Sequence, residues 1–163
     1  MARRERVFIS YSHKDSEWLQ RVREQLAVLE RAGLIEVFAD TGINAGEDWL
    51  ARLHSEMLSA KVGLLLVSAS FLSSAFISEE EVPRLFDKHA QSGMTIYPLL
   101  IRPCPWSKVE WLQRLQVRPR DAKPVSSLRG ANREQALAAV AEEIALLVAS
   151  SASDEDVSNE RDG

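Results

Sequence analysis

The chain has 163 residues, of which 45% are apolar and 27% charged, and this composition excludes a disordered protein. A chain of this length is expected to form one domain with a full hydrophobic core. The single cysteine, Cys104, excludes an internal disulfide and a cysteine-rich zinc site, and it is typical of a reducing compartment. We therefore expect a cytoplasmic protein. No stretch approaches the roughly 18 apolar residues of a membrane span, so we expect no membrane contact.

The net charge of −4 is located at the carboxyl end of the chain. Residues 151–163 contain five acidic residues and one basic residue, which leaves residues 1–150 with 19 of each. A neutral domain lacks the basic surface of a nucleic-acid binder, so no nucleic-acid partner is predicted. We interpret 1–150 as the domain and 151–163 as an acidic disordered tail, or as a linker to a further module.

Five apolar segments are predicted to be strands, because near-continuous apolar runs are typical of strands buried on both faces. Helical patterns of apolar residues separate them, for example the spacing of Trp18, Val22, Leu26 and Leu29. This alternation predicts an α/β fold with a parallel sheet and helices on both faces. The predicted strands are residues 6–11, 35–38, 62–68, 95–101 and, shortest and weakest, 123–126.

Several familiar sites are absent from the sequence. There is no glycine-rich phosphate loop, no HExxH zinc motif and no GxSxG nucleophile elbow. The histidines His13, His54 and His89 are scattered, which favours surface positions over metal ligands, and we expect no metal. Cys104 is interpreted as a bystander, with Arg102 as the one neighbour that could make its thiol reactive.

The first candidate site lies where the first strand ends, because ligands of open α/β sheets bind at the carboxyl ends of strands. Ser10, Tyr11 and Ser12 form a hydroxyl-rich turn before a helix, which suits phosphate or ribose contacts. The alternative is a capping segment in which Ser12 or Asp15 accepts backbone N–H groups. The sequence leaves both interpretations open.

The second candidate site is the long segment 40–49 after the second strand. Gly42 and its neighbouring glycine and asparagine permit left-handed backbone, and the length favours a binding or partner loop over an ordinary surface loop. Ile43 has little local core to join, so we interpret it as a contact to a neighbouring protomer. Trp49, at the start of the next helix, is a candidate for stacking on a ligand or for packing in the core.

The third candidate site is a run of three glutamates, residues 79–81, after the third strand. Successive helical residues point about 100° apart, so the three cannot share one pocket. Ser78 and Glu81 fit a capping box, although Pro83 would then begin to clash with the first turn. The alternative is a partly desolvated carboxylate that acts in catalysis.

Five segments, in chain order, carry a resemblance that covers about residues 5–149. They are Val7-Phe8-Ile9-Ser10-Tyr11-Ser12 with Asp15; Asp40-Thr41-Gly42-Ile43 with Gly46, Asp48 and Trp49; Phe71-Leu72, Phe76-Ile77 and Glu81-Val82-Pro83; Pro98-Leu99-Leu100-Ile101-Arg102-Pro103-Cys104-Pro105-Trp106; and Lys123-Pro124-Val125-Ser126. Together they resemble the conserved segments of Toll/interleukin receptor homology (TIR) domains, and the last two resemble the bacterial branch. The resemblance implies a flavodoxin-like sheet of five parallel strands.

The resemblance also implies a choice between two functions. Many bacterial and plant members cleave the nicotinamide–ribose bond of NAD+, giving nicotinamide and ADP-ribose or a cyclic isomer, whereas many animal members only scaffold through TIR–TIR contacts. The family spacing selects Glu81 as the catalytic glutamate, although Ile77 stands where some members have cysteine. No cofactor is implied, since NAD+ is the substrate.

The implied substrate contacts come from the three candidate segments. They are Ser10, Tyr11, Ser12, Asp40, Gly42, Ile43, Trp49 and Phe76. In the family, active sites form between adjacent domains, so the implied partners are other TIR domains in a homo-oligomer or filament. Bacterial defence proteins usually fuse the domain to a sensor module, and the segment after Ser150 is where such a module would attach.

Overall fold

The structure is a computed structural model that describes residues 4–39, 47–74 and 77–161. In residues 47–50 and 150–161 the description is limited to the backbone. Four predicted site residues therefore lie outside the described residues: Asp40, Gly42, Ile43 and Phe76. Of a fifth, Trp49, only the backbone is described.

Four described strands form one parallel sheet: β1 (Glu5–Ser10), β2 (Ile35–Ala39), β3 (Ala60–Val67) and β4 (Thr95–Leu100). Their order across the sheet is β2-β1-β3-β4, and every neighbouring pair is parallel. This order equals the first four positions of the flavodoxin-like arrangement, in which the strand order reverses between β1 and β3. The predicted α/β class is confirmed.

Six described α-helices connect and cover the strands. They are α1 (Ser16–Arg31), α2 (Glu47–Ser59), α3 (Ala69–Leu72), α4 (Val82–Ser92), α5 (Glu110–Gln113) and α6 (Gly130–Arg161). One face of the sheet packs against α1 and α6, and the other packs against α2 and α4. Helices therefore lie on both faces, as parallel strands require.

The two hydrophobic cores follow from the alternation of side chains along β1. Val7 and Ile9 join the core under α1 and α6, whereas Phe8 joins the core under α2 and α4. Ser10 is two residues after Phe8 on the same strand, so the two side chains lie on the same face of the sheet. Gly63 lets α4 approach this face closely, because a Cβ there would lie 3.3 Å from Leu85 Cδ2. The sheet thus presents the hydroxyl of Ser10 towards α4.

The segment beyond β4 differs from the prediction of a fifth strand at 123–126. Residues Val125–Ser127 form a 3₁₀ turn, and the Ser126 N–H donates to the Ile101 carbonyl at 2.9 Å. The position beside β4 is occupied instead at Arg118, which forms an isolated parallel bridge with Leu99. This bridge pairs backbone N–H and C=O groups on the edge of β4 at one position only. Among the described residues, the sheet therefore has four strands.

A polar network joins α6 to this edge of the sheet. The Tyr97 hydroxyl donates to Glu143 Oε2 at 2.9 Å, and Arg118 Nε donates to Glu143 Oε1 at 2.7 Å. The hydrogen bond from Arg118 is the main reason that the pKa of Glu143 lies below its ordinary value. Burial is the main cause that raises the pKa of Tyr97, and the hydrogen bond to Glu143 and the charge of that residue raise it further. The network fixes α6 against β4 through an ionised carboxylate.

Glu143→Gln is expected to lower the unfolding free energy at pH 7 by about 1–2 kcal/mol, since it weakens charge-assisted hydrogen bonds. A lowered folded-state pKa contributes stability above the ordinary value of 4.5, and that stability disappears as the pH falls through the folded pKa. The difference between wild type and variant should therefore shrink below about pH 4.5. Urea unfolding from pH 3 to 7 measures it, with exposed Glu142→Gln as the control. A pH-independent difference would contradict the prediction.

The backbone of α6 continues through Arg161. The proposed boundary between a domain at 1–150 and an acidic segment at 151–163 stays a prediction, because nothing in the fold tests it. In the part of the chain that the structure describes, no helix is both long and apolar enough to cross a lipid bilayer.

Candidate active site

The glutamate run adopts a local geometry that the sequence pattern did not predict. Residues Ile77–Glu81 form a π-helical turn, and α4 begins immediately after it with Pro83 in its first turn. Proline is tolerated there because first-turn N–H groups have no partner within the helix. The Ser78 hydroxyl donates to the Leu72 carbonyl at 3.3 Å, a hydrogen bond that does not belong to the capping box considered for Ser78 and Glu81. Single π-helical turns occur often at functional sites.

This turn separates Glu81 from the two glutamates before it. Glu79 and Glu80 are exposed, and Glu80 lies 4.0 Å from Arg84 across one helical turn. Glu81 is only 4% exposed. The hydroxyl of Ser10, itself buried, donates to Glu81 Oε2 at 2.7 Å. The fold therefore brings together Ser10 and Glu81, two residues that the sequence placed in separate candidate segments.

The turn after β1 is held by local contacts. Ser12 precedes a 3₁₀ turn, His13–Asp15, and its hydroxyl accepts the Lys14 N–H at 3.3 Å. The capping interpretation of Ser12 therefore describes its geometry. Tyr11 is buried, and its ring lies 5.5 Å from the ring of His13 in a tilted arrangement. Both residues follow Ser10 at the carboxyl edge of the sheet.

Asp15 belongs to a second buried group, whereas the sequence analysis considered it as a possible cap and as part of the first conserved segment. It precedes α1, but its side chain makes no capping hydrogen bond. Instead, the Ser68 hydroxyl donates to Asp15 Oδ2 at 2.5 Å. Arg102 Nη2 lies 2.6 Å from Asp15 Oδ1 and forms an ion pair with it. The same nitrogen donates to Ser70 Oγ at 3.2 Å.

A signal for this group was available in the sequence. Asp15 follows β1, Ser68 follows β3, and Arg102 follows β4, and parallel strands end at the same edge of a sheet. Complementary charges after neighbouring strands could have been paired on that basis. The candidate site thus contains two buried carboxylates, Glu81 and Asp15, and one half-exposed guanidinium at the carboxyl edge.

Other ionisable groups contribute less to this edge. Burial raises the pKa of the Cys104 thiol above its ordinary value, with smaller opposing effects from Trp106 and Arg102. A raised pKa means less thiolate, which favours the bystander interpretation. Burial is also the main cause that lowers the pKa of His54. Within the described ranges, no group of three or more His, Cys, Asp or Glu could hold a metal ion.

Together, these features define the class of protein: a flavodoxin-like parallel α/β domain with a buried carboxylate at the carboxyl edge of its sheet. The family model for the TIR domain matches residues 7–140. The chain therefore belongs to the TIR domain family.

Similar proteins include a bacterial relative and a solved structure. Uncharacterized protein y4lF of Sinorhizobium fredii (strain NBRC 101917 / NGR234) is 34% identical over 120 residues, which are 74% of this chain and 37% of that protein. The chain thus spans little more than a third of that relative's length. The TIR domains in the structure of the activated Roq1 resistosome directly recognizing the pathogen effector XopQ superpose with a TM-score of 0.51. That match has 20% identity and covers 85% of this chain and 84% of the other, which supports the fold.

Proposed function

We propose that this TIR domain cleaves the nicotinamide–ribose bond of NAD+, with Glu81 as the catalytic residue. The observation that carries the proposal is Glu81, the one glutamate buried among the described side chains, which accepts a hydrogen bond from the Ser10 hydroxyl at 2.7 Å. Burying a carboxylate costs free energy, so proteins retain one mostly where it is paired or has a function. Glu81 has the position that the family resemblance assigns to the catalytic glutamate.

The chemistry asks little of the protein. Nicotinamide leaves as a neutral molecule from a cationic ring, and the ribose becomes oxocarbenium-like. A carboxylate near C1′ stabilises that positive charge electrostatically. Its hydrogen bonds to the ribose hydroxyls would also orient the sugar. Ser10 orients the Glu81 carboxylate, and water or a group of the same nucleotide then attacks C1′. We propose that no metal or other cofactor takes part.

The burial of Glu81 implies that this state of the site is closed. A carboxylate that is 4% exposed cannot contact a ribose until the side chains that cover it move. We propose that contacts between TIR domains favour the open arrangement, by binding it better than the closed one. The TIR domains of the structural neighbour belong to an activated resistosome, which supports an assembly-dependent activity here. Ile43 is proposed as one contact between protomers.

The test measures the release of nicotinamide from NAD+ by chromatography, over a dilution series of the protein. Specific activity should rise with protein concentration, because assembly obeys mass action. A roughly hundredfold series crosses a typical micromolar association. Activity that stays constant per protein molecule would show that one protomer holds the whole site. No release of nicotinamide at any concentration would instead favour a scaffold that acts by TIR–TIR contact alone.

The biological setting is part of the same proposal. We propose that the domain is the effector part of a bacterial defence protein, with a sensor module driving assembly in the cytoplasm. The partial coverage of the Sinorhizobium fredii relative, 37% of its length, is consistent with TIR domains that occur within longer chains. The product, ADP-ribose or a cyclic isomer, is identified in the same chromatograms.

A further inference from the structure

Arg102 uses only part of its hydrogen-bonding capacity. A guanidinium carries five N–H donors in a planar fork. Nη2 contacts Asp15 and Ser70, whereas buried Nε has no hydrogen-bond partner among the described residues. The side chain is nevertheless 40% exposed. Because Nε is buried, the donors left for a ligand are those on the exposed part of the guanidinium.

Joining the ends of neighbouring strands does not by itself require a buried ion pair such as the one between Asp15 and Arg102. Asp15 is 1% exposed, and a buried carboxylate is costly unless its partners compensate for lost hydration. Asp15 and Ser70 restrict the guanidinium to one orientation before any ligand arrives. Pre-organisation of this kind lowers the entropy cost of binding. The geometry is therefore that of a positioned cation at the ligand-binding edge of the sheet.

The position of Arg102 relative to Glu81 suits one dinucleotide. Ser10, which holds Glu81, is in register with Leu65 of β3. Ser68 follows Leu65 by three residues, or roughly 10 Å along an extended chain. The Ile101 N–H donates to the Val67 carbonyl, so the backbone of Arg102 lies close to that of Ser68. One ribose separates the glycosidic bond of NAD+ from its diphosphate, and an arginine side chain can span the remaining gap.

We propose that Arg102, positioned by Asp15, binds the diphosphate of the dinucleotide. This inference rests on the proposed function, which it deepens by assigning the group that recognises the anionic part of NAD+. Arginine matches phosphate geometry with paired N–H donors. The guanidinium also offsets the repulsion between the phosphates and the two buried carboxylates, Asp15 and Glu81.

The direct test is calorimetric titration of the full chain with ADP-ribose, which keeps the diphosphate and lacks nicotinamide. Arg102→Gln should weaken binding about tenfold to a hundredfold, the loss typical of a hydrogen bond to a charged group. Arg102→Lys, which keeps the charge without the fork, should recover part of the affinity. Arg114→Gln makes the same change of charge at a 74% exposed arginine and should bind like wild type. Unchanged affinity in Arg102→Gln, or no binding by wild type at millimolar concentration, would overturn the inference.

A purely structural role is separated by a second variant. Arg102→Gln leaves Asp15 buried without its cation and could destabilise the fold. The double variant Asp15→Asn with Arg102→Gln replaces the ion pair by two neutral amides. If Arg102 is only a clamp, the double variant should regain wild-type affinity for ADP-ribose. If Arg102 binds the diphosphate, the double variant should remain as weak as Arg102→Gln.

Kinetics separate this inference from the proposed function. In Arg102→Gln, the ratio of kcat/KM for NAD+ to that for nicotinamide riboside should fall at least tenfold, because the riboside has no diphosphate. An unchanged ratio in an active protein would overturn the role of Arg102 and leave Glu81 catalysis intact. Binding of ADP-ribose that depends on Arg102, in a chain that cleaves no NAD+, would do the reverse.

Discussion

Glu81→Gln is expected to abolish the release of nicotinamide from NAD+, with a loss of at least a hundredfold to a thousandfold in kcat. The amide keeps the size of the carboxylate and can still accept the Ser10 hydroxyl that lies 2.7 Å from Oε2. It carries no negative charge, so it cannot stabilise the positive charge that develops at C1′. Loss of activity without loss of folding would therefore measure electrostatic stabilisation.

Glu79→Gln is the matched control, because it makes the same change two residues away at an exposed position of the same turn. It should retain most of the activity. Chromatography of NAD+ and nicotinamide at equal protein concentration compares the variants, and thermal unfolding checks that each is folded. Equal and measurable activity of wild type and Glu81→Gln would refute the assignment.

Asp15→Ala should lower the unfolding free energy by about 2–3 kcal/mol. The substitution removes a carboxylate that is 1% exposed, and it leaves the Ser68 hydroxyl and the Arg102 guanidinium without that partner. Breaking a fully buried ion pair typically costs about 3–5 kcal/mol. Arg102 is 40% exposed, and solvent screening therefore reduces the figure. Urea unfolding measures the change.

The control is Glu17→Ala, which breaks an exposed pair with Arg21 on the same helix, α1. Such pairs contribute about 0.3–0.5 kcal/mol, so the control should be nearly neutral. Asp15 would have no structural role if the two substitutions had the same small effect. The comparison also sets the folding background against which the binding of ADP-ribose to Arg102 variants is judged.

Much of the architecture could be predicted from local sequence pattern. The apolar runs that predicted the first four strands coincide with β1 to β4 within a few residues, because strands buried on both faces must be apolar throughout. The spacing of Val22 and Leu26 predicted the buried face of α1. The rule that ligands bind at carboxyl ends of parallel strands also directed attention to Ser10 and to the glutamate run. These features depend on neighbours along the chain.

The prediction of a fifth strand at 123–126 shows where local pattern is insufficient. Residues 123–126 have suitable residue types, yet the bridge beside β4 forms at Arg118. Arg118 is held there in part by Glu143 of α6, which accepts a hydrogen bond from Arg118 Nε at 2.7 Å and is 25 residues away along the chain. A single-sequence pattern contains no information about such a partner.

The sequence by itself determined that this chain forms a parallel α/β domain, and its ordered motifs identified the TIR family. It also selected Glu81 through family spacing. The tertiary structure decided that Glu81 is buried against Ser10 while Glu79 and Glu80, in the same π-helical turn, are exposed. It also paired Asp15 with Arg102 across three strand ends. Burial and ion pairing depend on residues that are distant in sequence and meet only when the sheet has formed.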